Sequence, residues 1–163
     1  MELKADTWSS KVVTRDGLLE IIANWRAKNE TIAFTNGVFD LLHRGHLFSI
    51  ETASETADRL VVGINSDNSV RLWGKESGRP IIDEEDRTAC IAALGAVDLV
   101  VLFDEPTPYE LLSALKPDVL VKGNDYKIED VIGREFAVRV ELIERLVGFS
   151  TTNIIEKISK LKF

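Results

Sequence analysis

The sequence predicts a single three-layer α/β domain in which helices cover both faces of a five-stranded parallel sheet. Three observations carry this. From residue 31 onward, short apolar runs alternate with helical stretches, the order expected of strand–helix–strand units with right-handed crossovers. The runs are continuously apolar, as strands buried on both faces must be. A chain of 163 residues with 45% hydrophobic content is sized for one ordinary core.

In chain order, residues 1–12 read as a loose terminus. Thr14 reads as the N-cap of a leading helix over 14–28, with Leu18, Leu19, Ile22 and Trp25 on one face. Strands are expected at Thr31–Thr35, Leu60–Asn65, Leu99–Phe103, Val119–Val121 and Val138–Ile143. Helices are expected at Gly45–Thr56, Asp83–Leu94, Pro108–Leu115 and from Thr151 to Lys160, with a short one near Glu129–Phe136. Cys90, beside Ile91 and Leu94, reads as core packing.

Composition narrows the function. Twenty Lys+Arg against 27 Asp+Glu leave a net charge of −7, which argues against nucleic-acid binding, since that needs a broad basic face. A small phosphorylated ligand needs only a few local donors. No apolar run approaches the roughly 18–20 residues of a spanning helix, so no membrane partner is expected. The polar start, without the apolar core of an export leader, points to a cytoplasmic location. One cysteine forms neither an internal disulfide nor a zinc cluster.

The most informative stretch is Thr35-Asn36-Gly37-Val38-Phe39-Asp40-Leu41-Leu42-His43-Arg44-Gly45-His46, which holds both histidines of the chain. It follows the first predicted strand and opens a helix, where open α/β sheets bind ligands. Gly37 would let a phosphate approach the main chain, and Gly45 starts a helix whose N-terminal amides suit an anion. Imidazoles placed there can donate to phosphate oxygens as charge builds during transfer. In-line attack on a nucleotide α-phosphate needs positioning and charge stabilisation, without a protein nucleophile. Zinc is the weaker reading, because Asp40 alone would have to complete the ligand set.

Gly37-Val38-Phe39-Asp40 followed by His43-Arg44-Gly45-His46 resembles the signature of the cytidylyltransferase-like nucleotidyltransferase superfamily, marked by H-x-G-H. The resemblance implies a Rossmann-like fold and transfer of a nucleotidyl group from an NTP to a phosphorylated acceptor. Further segments resemble the adenylyltransferase domain of ADP-heptose synthases: Val62–Asp67, Arg79-Pro80-Ile81, Ala96-Val97-Asp98, Phe103–Pro108, Lys116–Tyr126 and Gly148–Ile155. That branch implies ATP with Mg²⁺, a heptose 1-phosphate acceptor, a homodimer or higher homo-oligomer, and a sugar kinase on a separate chain.

On this reading His43, His46 and Lys122 are catalytic. Thr35, Asn36, Gly37, Phe39, Asp40, Gly45, Gly123, Asp125, Ser150, Thr151 and Thr152 bind the nucleotide and its phosphates. Asn65, Ser66, Asp67, Lys75 and Arg79 hold the acceptor. Ser66 reads equally as a helix cap, and Arg87 equally as a surface ion-pair partner. Trp73-Gly74 stands where the related branch usually has lysine-glycine, so either the basic residue shifts to Lys75 or Trp73 stacks on the ligand. Alternatives are a cytidylyltransferase acting on glycerol 3-phosphate or a similar alcohol, and a non-catalytic nucleotide-binding module.

Overall fold

Helices pack on both faces of the sheet, as its apolar runs require. The computed structural model describes residues 8–73 and 78–161. Its strands are β1 (Val12–Val13), β2 (Ile32–Gly37), β3 (Arg59–Asn65), β4 (Leu99–Phe103), β5 (Val119–Gly123) and β6 (Arg139–Ile143). They form one six-stranded sheet in the order β1-β4-β3-β2-β5-β6, with every pairing parallel. The sixth strand is the addition to the expected five. Val12–Val13 is two residues long, too short for any pattern, and gains strand geometry only by pairing with Val100 and Val101. Ser9–Lys11, which form a single 3₁₀ turn, and Val12 lie within the stretch expected to be loose.

The helices are α1 (Arg15–Ala27), α2 (Arg44–Ser54), α3 (Asp67–Leu72), α4 (Glu84–Ala92), α5 (Tyr109–Leu115) and α6 (Thr151–Ser159). Thr14 caps α1, its side chain accepting from the Gly17 amide. α3 is an addition to the expected helices, although its N-cap, Ser66, reads as a helix cap in the sequence. The short helix expected near 129–136 is instead two 3₁₀ turns, Ile128–Asp130 and Arg134–Phe136, interrupted where Gly133 takes φ 79°.

Alternate residues of each strand feed two cores. Ile32, Phe34, Val61, Leu99, Val101 and Leu120 pack with Leu18 and Ile22 of α1 and Leu111, Leu112 and Leu115 of α5. Ala33, Leu60, Val62, Ile64, Val100, Val119 and Val121 pack with Ile50 and Ala53 of α2 and Ile91 and Ala92 of α4. Period-2 side-chain alternation thus explains both the two layers and the continuous hydrophobicity. Cys90 corrects its expectation: it is exposed on α4 while Ile91 is buried.

Chain direction across the sheet reverses beside β2. β2 pairs with β3 from Ile32↔Arg59 to Gly37↔Ile64, whereas its pairing with β5 covers only Ala33↔Val119 and Phe34↔Leu120. Beyond those residues β2 and β5 part, and a crevice opens at the carboxyl ends of the strands. This is the topological switch point, where open α/β sheets bind ligands.

Candidate active site

A cleft of about 630 Å³ fills that crevice. Its floor is the turn from β2 into α2. Thr35, Asn36, Gly37, Phe39, Asp40, His43, Gly45 and His46 all line it. His43 is the N-cap of α2: its Nδ1 accepts from the Gly45 amide at 3.1 Å and the His46 amide at 3.4 Å. An Nδ1 that accepts carries no proton, so the ring's proton sits on Nε2. The first helix amides are therefore taken up inside the motif, and the imidazole becomes the donor available to a ligand. This revises the expectation that an anion would meet those amides directly.

Gly45 is required by this cap. A Cβ there would lie 3.0 Å from the His43 ring and 3.3 Å from Phe149 Cβ. Gly37 makes room in the same way, since a Cβ would meet the Phe39 ring at 3.1 Å. Phe39 in turn holds a positive φ of 50° and meets the His46 ring edge-on, with centroids 5.3 Å apart. The close approach seen at Gly37 is to Phe39, which braces the second histidine.

The two imidazoles stack, with centroids 3.8 Å apart and planes within 18°. Burial lowers the His46 pKa from 6.5 to about 4, helped by the charges of His43 and Arg145. Burial also lowers that of His43, with a smaller push from Arg145. Both shifts favour the neutral rings at pH 7, since burial disfavours the charged form. Among the described residues, the buried side-chain polar atoms lacking a hydrogen-bond partner are His46 Nδ1 and Asp40 Oδ2.

Lys122 stands at the tip of β5. Its ammonium donates to Asn36 Oδ1 across the split between β5 and β2. Desolvation pushes its pKa from 10.5 down to about 8, opposed by the charge of Asp125. Gly123 and Ser150, Thr151 and Thr152 complete that wall. Ser150 caps α6, accepting from the Asn153 amide at 3.1 Å.

Several expected contacts fall elsewhere. Asp40 lines the cleft, but its Oδ1 accepts from the Ile81 and Ile82 amides at 2.8 and 2.9 Å, tethering that loop. Its Oδ2 lies 3.7 Å from Arg79 Nη1, a second tie to the same loop. Ser66 is 1% exposed and caps α3, accepting from the Ser69 amide while donating to Asp104. Asp67 is bound by Arg87 at 2.6 Å. Neither is among the cleft residues; Asn65 and Arg79 are. Asp125 also stands off the cleft lining, paired with Arg145 at 3.1 Å. Lys75 lies outside the described residues.

Sequence reasoning missed two arginines. Arg87, read as equally suited to a surface ion pair, has a side chain with 0% exposure. It donates to the carbonyls of Ile82, Val38 and Asn65 at 2.9, 2.6 and 2.9 Å and to Asp67. One guanidinium so ties together the loop after β2, the end of β3, the start of α3 and the 79–82 loop. The signal available was an arginine three residues inside an acid-started helix, which looks solvated by pattern alone. Arg145 lines the cleft with a side chain 67% exposed, and nothing in its sequence neighbourhood marks it.

Among the described residues no group of three His, Cys, Asp or Glu side chains converges as a metal cage, and no helix is long and apolar enough to cross a membrane.

The cytidylyltransferase-like family model matches residues 34–157. "Bifunctional protein HldE" of Koribacter versatilis (strain Ellin345) is 52% identical over 152 residues, covering 91% of this chain and 31% of that protein. The protein of the same name from Methylobacillus flagellatus is 47% identical over 155 residues, covering 93% of this chain and 32% of its own length. The chain therefore spans about a third of the length of the curated relatives it matches. A crystal structure of the lipopolysaccharide core biosynthesis protein from Thermoplasma volcanium GSS1 superposes with a TM-score of 0.59 at 30% identity, over 72% of this chain and 97% of that one.

Proposed function

The chain belongs to the cytidylyltransferase-like family, and on that premise we propose that it transfers AMP from ATP to a heptose 1-phosphate, giving ADP-heptose and pyrophosphate. The observation that carries the proposal is the stacked pair of imidazoles at the start of α2, lining the cleft between β2 and β5. Resemblance to proteins named bifunctional HldE at 47–52% identity supports the heptose branch over the glycerol 3-phosphate alternative. The name of the Thermoplasma relative, a lipopolysaccharide core biosynthesis protein, fits the same chemistry.

The acceptor's phosphate oxygen attacks the α-phosphorus of ATP, a new P–O bond forms, and the bond to the bridging α–β oxygen breaks. The electron pair leaves on pyrophosphate, so no protein nucleophile is consumed. His43 Nε2–H and His46 donate to the oxygens on which charge develops. Neutral donors fit this task because they bind the forming charge without holding the ground state as tightly as a cation would. Lys122, fixed by Asn36, supplies one formal positive charge against the triphosphate. Ser150, Thr151 and Thr152 at the α6 N-terminus offer hydroxyl and amide donors to a phosphate. Asn65 and Arg79 face the acceptor. Magnesium carried by ATP would offset part of the triphosphate charge; among the described residues no group of three His, Cys, Asp or Glu side chains is placed to hold it.

In such a scheme a homo-oligomer and a sugar kinase that supplies the acceptor are further expectations. Pyrophosphate release from a panel of nucleoside triphosphates against a heptose 1-phosphate and glycerol 3-phosphate tests the assignment. ATP with the heptose phosphate is expected to give the highest kcat/KM. Turnover confined to CTP and glycerol 3-phosphate would establish the alternative. A non-catalytic module would release no pyrophosphate with any pair.

A further inference from the structure

The two walls of the cleft differ in chemistry. The β5–β6 wall carries Lys122, Arg145 and the hydroxyls at the start of α6, set among apolar side chains that include Tyr126, Ile132 and Phe149. The opposite wall, beyond β3 and β4, carries Val70, Trp73, Pro106 and Pro108, with Asn65, Arg79 and Thr107 as its polar groups. Trp73 is the largest surface on that wall and is 51% exposed.

The indole sits on a fixed element. It is the C-cap of α3, its amide donating to the Arg71 and Ser69 carbonyls. α3 is capped by Ser66, tied by Asp67 to the buried Arg87, and fastened by Ser69 Oγ to the Glu105 carbonyl at 2.6 Å. Val70, beside it on the same helix, is 1% exposed. A flat aromatic face held by such anchors, with polar groups nearby, complements a ligand having an apolar ring face and hydroxyls around its edge. The electron-rich face of an indole attracts the partly positive C–H groups of a saturated ring.

We propose that Trp73 is a specificity-determining residue for the acceptor, forming the platform on which the ring of a pyranosyl phosphate stacks. The inference rests on the sugar-phosphate reading above and deepens it. An acyclic phosphorylated alcohol has no ring face to cover the indole, so the wall selects against it. The nucleotide, seated against the charged wall, does not use Trp73.

The chain has three tryptophans, and Trp25 lies against Arg59, a residue at the opposite end of the strands. A Trp8→Phe, Trp25→Phe protein therefore reports on Trp73 alone. Its emission is expected to change saturably with a heptose 1-phosphate and to stay unchanged with glycerol 3-phosphate. In the otherwise native chain, Trp73→Leu should raise KM for the heptose 1-phosphate about tenfold, leaving KM for MgATP within about twofold. Trp73→Phe should recover most of the loss. A sugar-phosphate KM unmoved by Trp73→Leu, or an equal emission response to both acceptors, would overturn the proposal. If the native chain releases no pyrophosphate with any pair, the reaction assigned above fails. The emission titration then decides for Trp73 by itself: a saturable response to the sugar phosphate supports the platform, and its absence refutes it.

Discussion

The two ends of the parallel sheet are built from the same kinds of residue and use them in opposite ways. At the amino end, the residue just before each of β3, β4 and β5 is an aspartate. Asp58, Asp98 and Asp118 each accept from a main-chain amide of a neighbouring strand, those of Thr31, Leu60 and Ile32, all at 2.8 Å. Arg59 bridges Glu30 at 2.6 Å and Asp98 at 3.0 Å. Lys11 donates to the carbonyls of Leu94 and Val97 at 3.0 and 2.7 Å. Charges there find partners and close the sheet.

At the carboxyl end the pairing is left incomplete. His46 Nδ1 is buried without a hydrogen-bond partner among the described residues, Asp40 Oδ2 has Arg79 only at 3.7 Å, and burial depresses the pKa values of His46 and Lys122. Unmet polar groups cost stability, and a molecule that keeps them in a cleft gains a site ready for a charged ligand. Satisfied charges read as structure, while desolvated and partly unmet ones read as chemistry.

Substitutions can break this contrast. The largest effect is expected at Arg87, which serves structure from within the reactive end. Arg87→Ala strands the Asp67 carboxylate and three carbonyls, and should cost about 3–5 kcal/mol in denaturant unfolding. Arg87→Lys should recover only part, because one ammonium cannot reproduce the planar fork. His46→Ala should lower kcat for pyrophosphate release by about 10²–10³, while stability stays level, since the substitution also removes an unpartnered buried nitrogen. Asp98→Ala should do the reverse. With the Leu60 amide left unmet, it should cost about 1–3 kcal/mol of stability with kcat/KM unchanged.

The smallest effect is a pH dependence. Because the Lys122 pKa is lowered to about 8, its charge is present below that pH and lost above it. If that charge binds the triphosphate, kcat/KM for MgATP should fall by about tenfold per unit as pH rises past the pKa. Lys122→Arg should move that limb upward, beyond the range of the assay. A limb unmoved in Lys122→Arg would assign it to another group.

Most of the fold is legible in the sequence because its strands are apolar on both faces and its helices carry caps. Thr14, Asp83 and Ser150 each cap a helix in the structure. β1 escapes because it has no pattern of its own, and α3 because its polar start, Asn65-Ser66-Asp67, looks like substrate chemistry. The motif residues land in the cleft because one turn carries them all. What stays hidden is partnership. Whether Asp40 meets a ligand or two backbone amides, whether Asp67 meets a hydroxyl or Arg87, and whether Arg145 reaches the cleft depend on elements far apart in the chain.

The claim at the centre is that two neutral, stacked imidazoles face the bound nucleotide. With two histidines in the chain, a long-range ¹H–¹⁵N spectrum of the imidazole nitrogens resolves both. The account predicts both rings neutral at pH 7, His43 protonated on Nε2, His46 titrating near pH 4, and both sets of signals shifting when MgATP is added. A ring that titrates at its ordinary value near 6.5, with signals unmoved by saturating MgATP, would contradict it.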